Sequence, residues 1–368
     1  MMRITTIFFL IFLMLSGPLY PAHAEWKQAD VPRVWTFPRD YGSHPEYRTE
    51  WWYFTGNLTD AAGHKYGYQL TFFRHGLVEK AKDPANPWSV RDIYLAHFAI
   101  TDGEKKTFRY RDRISRKGPD LSSSSQAALD VHVLSWSASM KEGRIILKAK
   151  RDGMELSLQL KSLKPPVFHG QAGLSKKGPM PGQASYYYSL TDLATTGTLM
   201  VPGRKTPVTV KGTSWFDQEF GSNQLSKDQA GWDWFSLHLR DGRDLMVYFL
   251  RKKDGTLEAQ SSGTLIEPDG RSRHLALGDI RIDVRNYWKS KKTGGNYPAS
   301  WHIVIPSASI DLIISPIVAD QELTDTVSSN ITYWEGAVEG KDISRGKPVE
   351  VTGYVEMTGY AGTIGGVF

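Results

Sequence analysis

Trp52-Tyr53-Phe54 runs through a turn at Asp60 to Gly63 into Leu70-Thr71-Phe72-Phe73-Arg74, and the second half of the chain repeats the pattern. There Trp234-Phe235-Ser236 is followed by Asp241-Gly242 and by Val247-Tyr248-Phe249-Leu250-Arg251. Each copy reads as an aromatic strand, a hairpin and a returning strand that ends in Arg. Each also has a second Trp just before it, Trp51 in the first and Trp232 in the second. The recurrence predicts two related domains joined at a seam between Met200 and Ala230.

Outward from these hairpins the chain keeps the same character. Tyr66, Tyr68, Leu70 and Phe72 alternate onto one face, the period of a half-buried strand, and Ile93 to Thr101, Leu245 to Leu250 and Trp301 to Ile305 are similar. Asp-Gly pairs begin at Asp102, Asp152, Asp241, Asp254 and Asp269, each a cheap source of positive φ for a tight turn. Helical periodicity is sparse. The expected fold is all-β: two antiparallel β-barrel or β-sandwich domains, residues 25–222 and 223–368.

Composition narrows the function. The 368 residues carry 45 Lys plus Arg against 39 Asp plus Glu, a net +6 without a run of like charge, so no nucleic-acid partner is expected. The absence of Cys excludes disulfides, thiolate metal sites and a Cys nucleophile. Arg3, the apolar run Ile7 to Leu15 and Ala22-His23-Ala24 predict a signal peptide over residues 1–24, and hence a periplasmic or secreted protein. No later stretch is long enough for a transmembrane segment in the mature chain.

Five blocks carry a resemblance. They are His44-Pro-Glu-Tyr-Arg-Thr-Glu-Trp-Trp-Tyr-Phe-Thr-Gly-Asn-Leu58, Tyr66-Gly-Tyr-Gln-Leu-Thr-Phe-Phe-Arg74, Tyr94-Leu-Ala-His-Phe-Ala-Ile-Thr-Asp102, Trp215-Phe-Asp-Gln-Glu-Phe-Gly-Ser222 and Gly231-Trp-Asp-Trp-Phe-Ser236. With them the chain resembles the AttH family of secreted lipocalin-like proteins, related to the carotenoid 1,2-hydratases. The resemblance implies two lipocalin-like (calycin) domains, a lipid or isoprenoid ligand and linkage to ABC transporter components. In the hydratases a Tyr-His-Asp-His-Asn-Trp-Gly segment stands where this chain has Trp215 to Gly221. Gln218 therefore replaces an implicated His and Phe220 an implicated Trp. Because Gln has no titratable proton, the chain is expected to bind an acyclic carotenoid or ignore it without adding water.

Glu50, Arg74, His97, Asp217 and Glu219 lie in strongly apolar segments, where unpaired charges are costly. They are expected to meet, either as buried ion pairs or as a ligand-facing cluster. The catalytic candidates are Asp217, Glu219, Glu50 and His97; on a strand, Asp217 and Glu219 share one face. The candidate ligand-binding residues are Trp51, Trp52, Tyr53, Arg74, Tyr186, Tyr188, Trp215, Gln218, Trp232, Trp234 and Tyr248. No Walker loop, dinucleotide fingerprint or His-Glu-x-x-His occurs, so neither cofactor nor metal is expected. Pro165 to Gly182 reads as a mobile surface loop. Three classes stay open: a carrier for a hydrophobic small molecule or lipid, an enzyme acting on one (hydratase or hydrolase), and a glycan-binding protein.

Overall fold

The computed structural model describes residues 26–362 apart from 84, 87, 224, 325–330 and 345; the expected signal peptide lies outside the described residues. The first sheet is built from β1 (Thr49–Thr59), β2 (Lys65–Gly76), β3 (Asp92–Asp102), β4 (Thr107–Arg116), β5 (Ser122–Ser124), β6 (Asp130–Val133) and β7 (Trp136–Lys141). It continues with β8 (Arg144–Arg151), β9 (Met154–Ser162), β10 (Val167–Phe168), β11 (Leu174–Lys176), β12 (Ala184–Met200) and β13 (Val208–Asn223). The second sheet contains β14 (Gln229–Leu239), β15 (Asp244–Lys252), β16 (Ser262–Ile266), β17 (Ser272–Ala276) and β18 (Arg281–Lys289). It is completed by β19 (Asn296–Ile305), β20 (Ile310–Pro316), β21 (Glu322–Leu323), β22 (Tyr333–Asp342) and β23 (Val349–Thr358).

Every pairing is antiparallel. The first sheet runs β4-β3-β2-β1-β13-β12-β9-β8-β7-β6-β5, and the second β17-β16-β15-β14-β23-β22-β20-β19-β18. In both, the first strand pairs with the last, so the nine strands of the second order correspond to β4 through β7 of the first, and β6 and β5 have no counterpart. The first sheet curls into a nearly closed barrel as β6 comes against β2, β3 and β4, while the second is a half-barrel. Trp52, Phe54, Leu70, Phe98, Trp136 and Phe216 fill the first core; Phe235, Val247, Trp301, Ile303 and Val355 fill the second.

The hairpins correspond as the sequence suggests, but one residue out of step. Arg74 lies three residues beyond Thr71, the partner of Tyr53, and Arg251 three beyond Tyr248, the partner of Trp234. Tyr53 thus matches Trp234, and Trp51 matches Trp232. Trp52, aligned with Trp234 on sequence alone, turns to the opposite face, as any one-residue slip in a strand requires. Tyr53 and Trp234 meet edge to face across the domain boundary, ring centroids 5.1 Å apart.

Gly212 allows the close approach of β13 to β1. A Cβ there would sit 2.1 Å from the Asn57 carbonyl oxygen and 2.9 Å from Leu58 Cα. Both are backbone atoms held in the sheet, so neither can move aside. Gly212→Ala is expected to cost about 1–3 kcal/mol, read as a lower urea midpoint with an unchanged slope.

The 163–183 segment is not a mobile surface loop. Val167, His169, Leu174, Ser175 and Lys177 are buried, because the segment straps the first domain to the second. Lys164 Nζ reaches Asp244 Oδ2 at 2.7 Å and the Gly242 carbonyl at 2.6 Å, and Tyr248 Oη lies 3.2 Å from Ser175 Oγ. Gln229 Nε2 donates to the Lys177 carbonyl at 2.7 Å. Among the described residues no helix is long and apolar enough to cross a membrane.

Candidate active site

A cavity of about 350 Å³ lies where the two sheets face each other, within the range of pockets that enclose drug-sized molecules. Strand alternation decides what enters it. From the first domain come Trp51 and Tyr53 of β1, His97 of β3, Tyr187 of β12, and Asp217 and Glu219 of β13. The second domain supplies Trp232, Trp234, Tyr248, Leu250, Tyr333 and Glu356, and the strap adds Lys177. Trp215 backs the wall, its ring centroid 6.2 Å from that of Trp234.

Two acids occupy matching positions. Asp217 is the register partner of Tyr53, and Glu356 is the register partner of the equivalent Trp234. Tyr187 Oη donates to Asp217 Oδ2 at 2.7 Å; Trp215 Nε1, at 2.5 Å, and Ser189 Oγ donate to Oδ1. Burial outweighs these three hydrogen bonds and pushes Asp217 up to about 7. Burial, with Asp217 and Glu219 nearby, likewise pushes Glu356 up to about 7, although Trp232 Nε1 donates to it at 2.8 Å. Beside Glu356 on β22 is Glu335, which burial and that neighbour raise well above the usual carboxyl range. Tyr53 Oη donates to Glu335 at 2.6 Å.

The other charges are settled. Glu219 pairs with Lys177 Nζ at 2.9 Å and accepts from Ser185. Burial would lower the Lys177 ammonium, but Glu219 beside it raises it, so the amine stays charged, 4.3 Å above the Tyr248 ring. His97 is driven down to about 4 by burial and is therefore neutral, its Nδ1 2.6 Å from Tyr333 Oη. Among the described residues no group of three His, Asp or Glu is placed to hold a metal ion.

A family model described as AttH-like matches residues 28–360.

The chain belongs to the AttH-like family.

Among solved structures, an AttH protein of Nitrosomonas europaea is 31% identical, with a TM-score of 0.78 over 90% of this chain and 99% of that one. Kievitone hydratase of Nectria haematococca shares the fold at 16% identity and a TM-score of 0.68, over 92% of this chain and 97% of its own. A protein named dehydratase asqC from Emericella nidulans is 23% identical over 201 residues, 52% of this chain. The chain spans about half, 54%, of the length of that relative.

This AttH-like chain divides the residues singled out from its sequence between two places. Asp217, Glu219, His97, Trp51, Tyr53, Trp232, Trp234 and Tyr248 line the cavity. Glu50 and Arg74 border it, but their charged groups belong to a second, sealed network. Glu50 accepts from the His44 amide at 2.8 Å, lies 2.8 Å from His44 Nδ1, and receives Arg74 Nε at 3.4 Å and Gln218 Nε2 at 3.0 Å. Despite burial, His44 and Arg74 hold Glu50 below the usual carboxylate range, so it has no proton to give. Arg74 is neutralised by Glu50, one of the two ion pairs expected, while Asp217 and Glu219 pair with neither, and all five residues lie along the one cavity.

Trp52, Tyr186, Tyr188 and Gln218 do not line the cavity. Each sits one residue off the cavity-facing register of its strand. Trp52 and Tyr188 pack in the first core, and Tyr186 belongs to a separate cluster with Tyr47 and Phe220. Gln218 donates to the Gly42 carbonyl at 2.8 Å, and Phe220 stacks on His44 with centroids 3.7 Å apart. Gln218 and Phe220, the two replacements on which the expectation of no hydration rests, thus face away from the cavity, whereas Glu219, which stands where the hydratases have Asn, lines it. Glu356, Glu335, Tyr187, Tyr333 and Lys177 were not singled out from the sequence. Alternation in Tyr354-Val-Glu356-Met and pairing of the last strand with the first would have marked Glu356.

Proposed function

We propose that this protein is a hydro-lyase that adds water to, or removes it from, a hydrophobic isoprenoid or lipid held between its two domains. The observation that carries this reading is the pair of matching acids, Asp217 and Glu356, each buried among aromatic rings in one cavity. With both groups at about 7, one protonated and one ionised carboxyl coexist near neutral pH, the combination that water addition across a double bond requires. In the hydration direction Asp217 gives its proton to carbon while Glu356 takes one from the attacking water, whose oxygen bonds the neighbouring carbon. Dehydration is the reverse. The Lys177–Glu219 ion pair offers a polar end of the cavity, and the ring walls take the ligand's apolar body. The kievitone hydratase and dehydratase names of two relatives agree with this chemistry.

The expectation that an acyclic carotenoid would not be hydrated rested on Gln218 and Phe220, which lie outside the cavity, so that class belongs among the substrates to be tried. Export to the periplasm or the medium, directed by residues 1–24, places the reaction outside the cytoplasm in this reading. A second reading, a carrier for a hydrophobic molecule serving ABC transporter components, draws on the aromatic walls of the cavity.

Native mass spectrometry of protein purified from its host, followed by organic extraction, identifies the bound molecule. That molecule and an acyclic carotenoid are then incubated with fresh protein in oxygen-18 water. Product heavier or lighter by one water, with label incorporated on hydration and lost in Asp217→Asn, is expected. Recovery of unchanged ligand from acidic to mildly alkaline pH overturns the enzyme in favour of the carrier.

A further inference from the structure

Asp217 is one end of a chain of side chains that crosses the domain boundary. Ser189 Oγ donates to Asp217 Oδ1; His169 Nε2 lies 2.6 Å from Ser189 Oγ, and His169 Nδ1 lies 2.9 Å from Thr264 Oγ1 of β16. The four groups are buried, with His169 on the strap, 1% exposed and against the Tyr187 ring at 4.2 Å. Thr264 is the register partner of His274 on the edge strand β17, whose side chain is exposed. The chain thus leads from the cavity to a residue one strand from solvent.

We propose that Thr264, His169 and Ser189 form a proton relay that recharges Asp217 while a ligand seals the cavity, with His169 as its positioning residue. The inference deepens the hydro-lyase reading, because it supplies the acid's proton, but its geometry stands without a substrate.

The donor count fixes the direction. An ionised Asp217 only accepts, so Ser189 donates its one proton to it. Ser189 Oγ must then accept from His169 Nε2–H, and His169 Nδ1 must accept from Thr264. When a solvent proton enters at Thr264, that hydroxyl hands its own proton to Nδ1. The Nε2 proton passes to Ser189, and the Ser189 proton passes to Asp217. One proton enters and one arrives. His169 is neutral before and after, but its tautomer has changed from Nε2–H to Nδ1–H.

Neutrality of the ring is what the surroundings impose. Burial, with Lys177 and His274 facing it, holds His169 well below its ordinary value, so an imidazolium is not an intermediate. Asp217 is faced by Tyr187, Glu219, Glu356 and Lys177, and its own titration is set among these.

Nitrogen-15 NMR of the full chain labelled at His, with carbon-13 carboxyl shifts of Asp recorded in parallel, tests the relay without substrate. Across the titration of Asp217, His169 is expected to change from the Nε2–H tautomer at alkaline pH to the Nδ1–H tautomer at acidic pH. The two midpoints should coincide, and no imidazolium signal should appear. Asp217→Asn should lock one tautomer. Ser189→Ala should uncouple the two, so that Asp217 titrates while His169 does not change. A His169 that keeps one tautomer while wild-type Asp217 titrates, or that still follows Asp217 in Ser189→Ala, overturns the relay. An intact switch in a protein that exchanges no water with its ligand overturns the hydro-lyase reading alone.

Discussion

Arg74→Met unfolds with a stability about 3–5 kcal/mol below that of the unmodified protein, the expected cost of removing one partner from a buried ionic network. Arg74 is 1% exposed and each of its three guanidinium nitrogens is engaged. Nε meets Glu50 at 3.4 Å, one terminal nitrogen meets Asp92 Oδ1 at 3.1 Å, and the other donates to the His44 and Tyr47 carbonyls at 3.1 and 2.7 Å. Methionine fills much of the volume, so the loss reports uncompensated carboxylates and orphaned carbonyls rather than a cavity. For a domain of this size the melting temperature should fall by roughly 10 °C. Arg251, at the equivalent end of the second hairpin, is the control: it pairs with Asp233 at 3.1 Å but is 19% exposed, so water replaces part of what is lost. A loss below about 1 kcal/mol for Arg74→Met, or an equal loss for both arginines, would show that the network is not what holds the first hairpin.

Stability should also fall as pH rises from mildly acidic to mildly alkaline, against the usual trend for buried carboxylates. Asp217 and Glu356 have folded values raised to about 7 from 3.8 and 4.5. A raised carboxyl contributes stability that is fully present below its unfolded value and is lost as pH climbs through the folded one. For Asp217 the three-unit window corresponds to at most about 4 kcal/mol. Glu50 and Asp40 work in the opposite sense, since both are held below their ordinary values and lose their contribution only as pH drops beneath those values. Urea midpoints measured across pH should therefore peak on the acidic side of neutrality. Asp217→Asn, which imitates the protonated acid, should flatten the alkaline limb and be the more stable protein at pH 8. A profile level between pH 5 and pH 8 would mean that neither acid is held protonated by burial.

How far the sequence could be read depended on register. Hairpins, turn positions and an all-β architecture are local properties, and the repeat ending in Arg74 and Arg251 identified the right two hairpins. The facing of individual rings is not local. Trp51 and Trp52 are adjacent and equally aromatic, yet one lines the cavity and the other the core. Which is which depends on where β1 pairs with β13, a partner some 160 residues away. The same parity separates Asp217 from Gln218 and Tyr187 from Tyr188. Glu356 and Lys177 stayed hidden for a different reason: they enter the cavity only once the second domain and the strap are docked, and no run of sequence records that docking.

The matching of the two hairpin faces bears on how a ligand is seated. Walls built from corresponding residues, Trp51 and Tyr53 on one side, Trp232 and Trp234 on the other, offer an elongated molecule two nearly degenerate orientations, head-first or tail-first. Were the walls all there is, occupancy would be shared and half of the encounters would present the wrong bond to the acids. Lys177 arrives from the strap, which only the first domain contributes, and so marks one end of an otherwise even-handed slot. In the proposed function the Lys177–Glu219 pair then biases the orientation, and Lys177→Met, which also leaves Glu219 buried without its cation, is expected to weaken that bias and to lower stability.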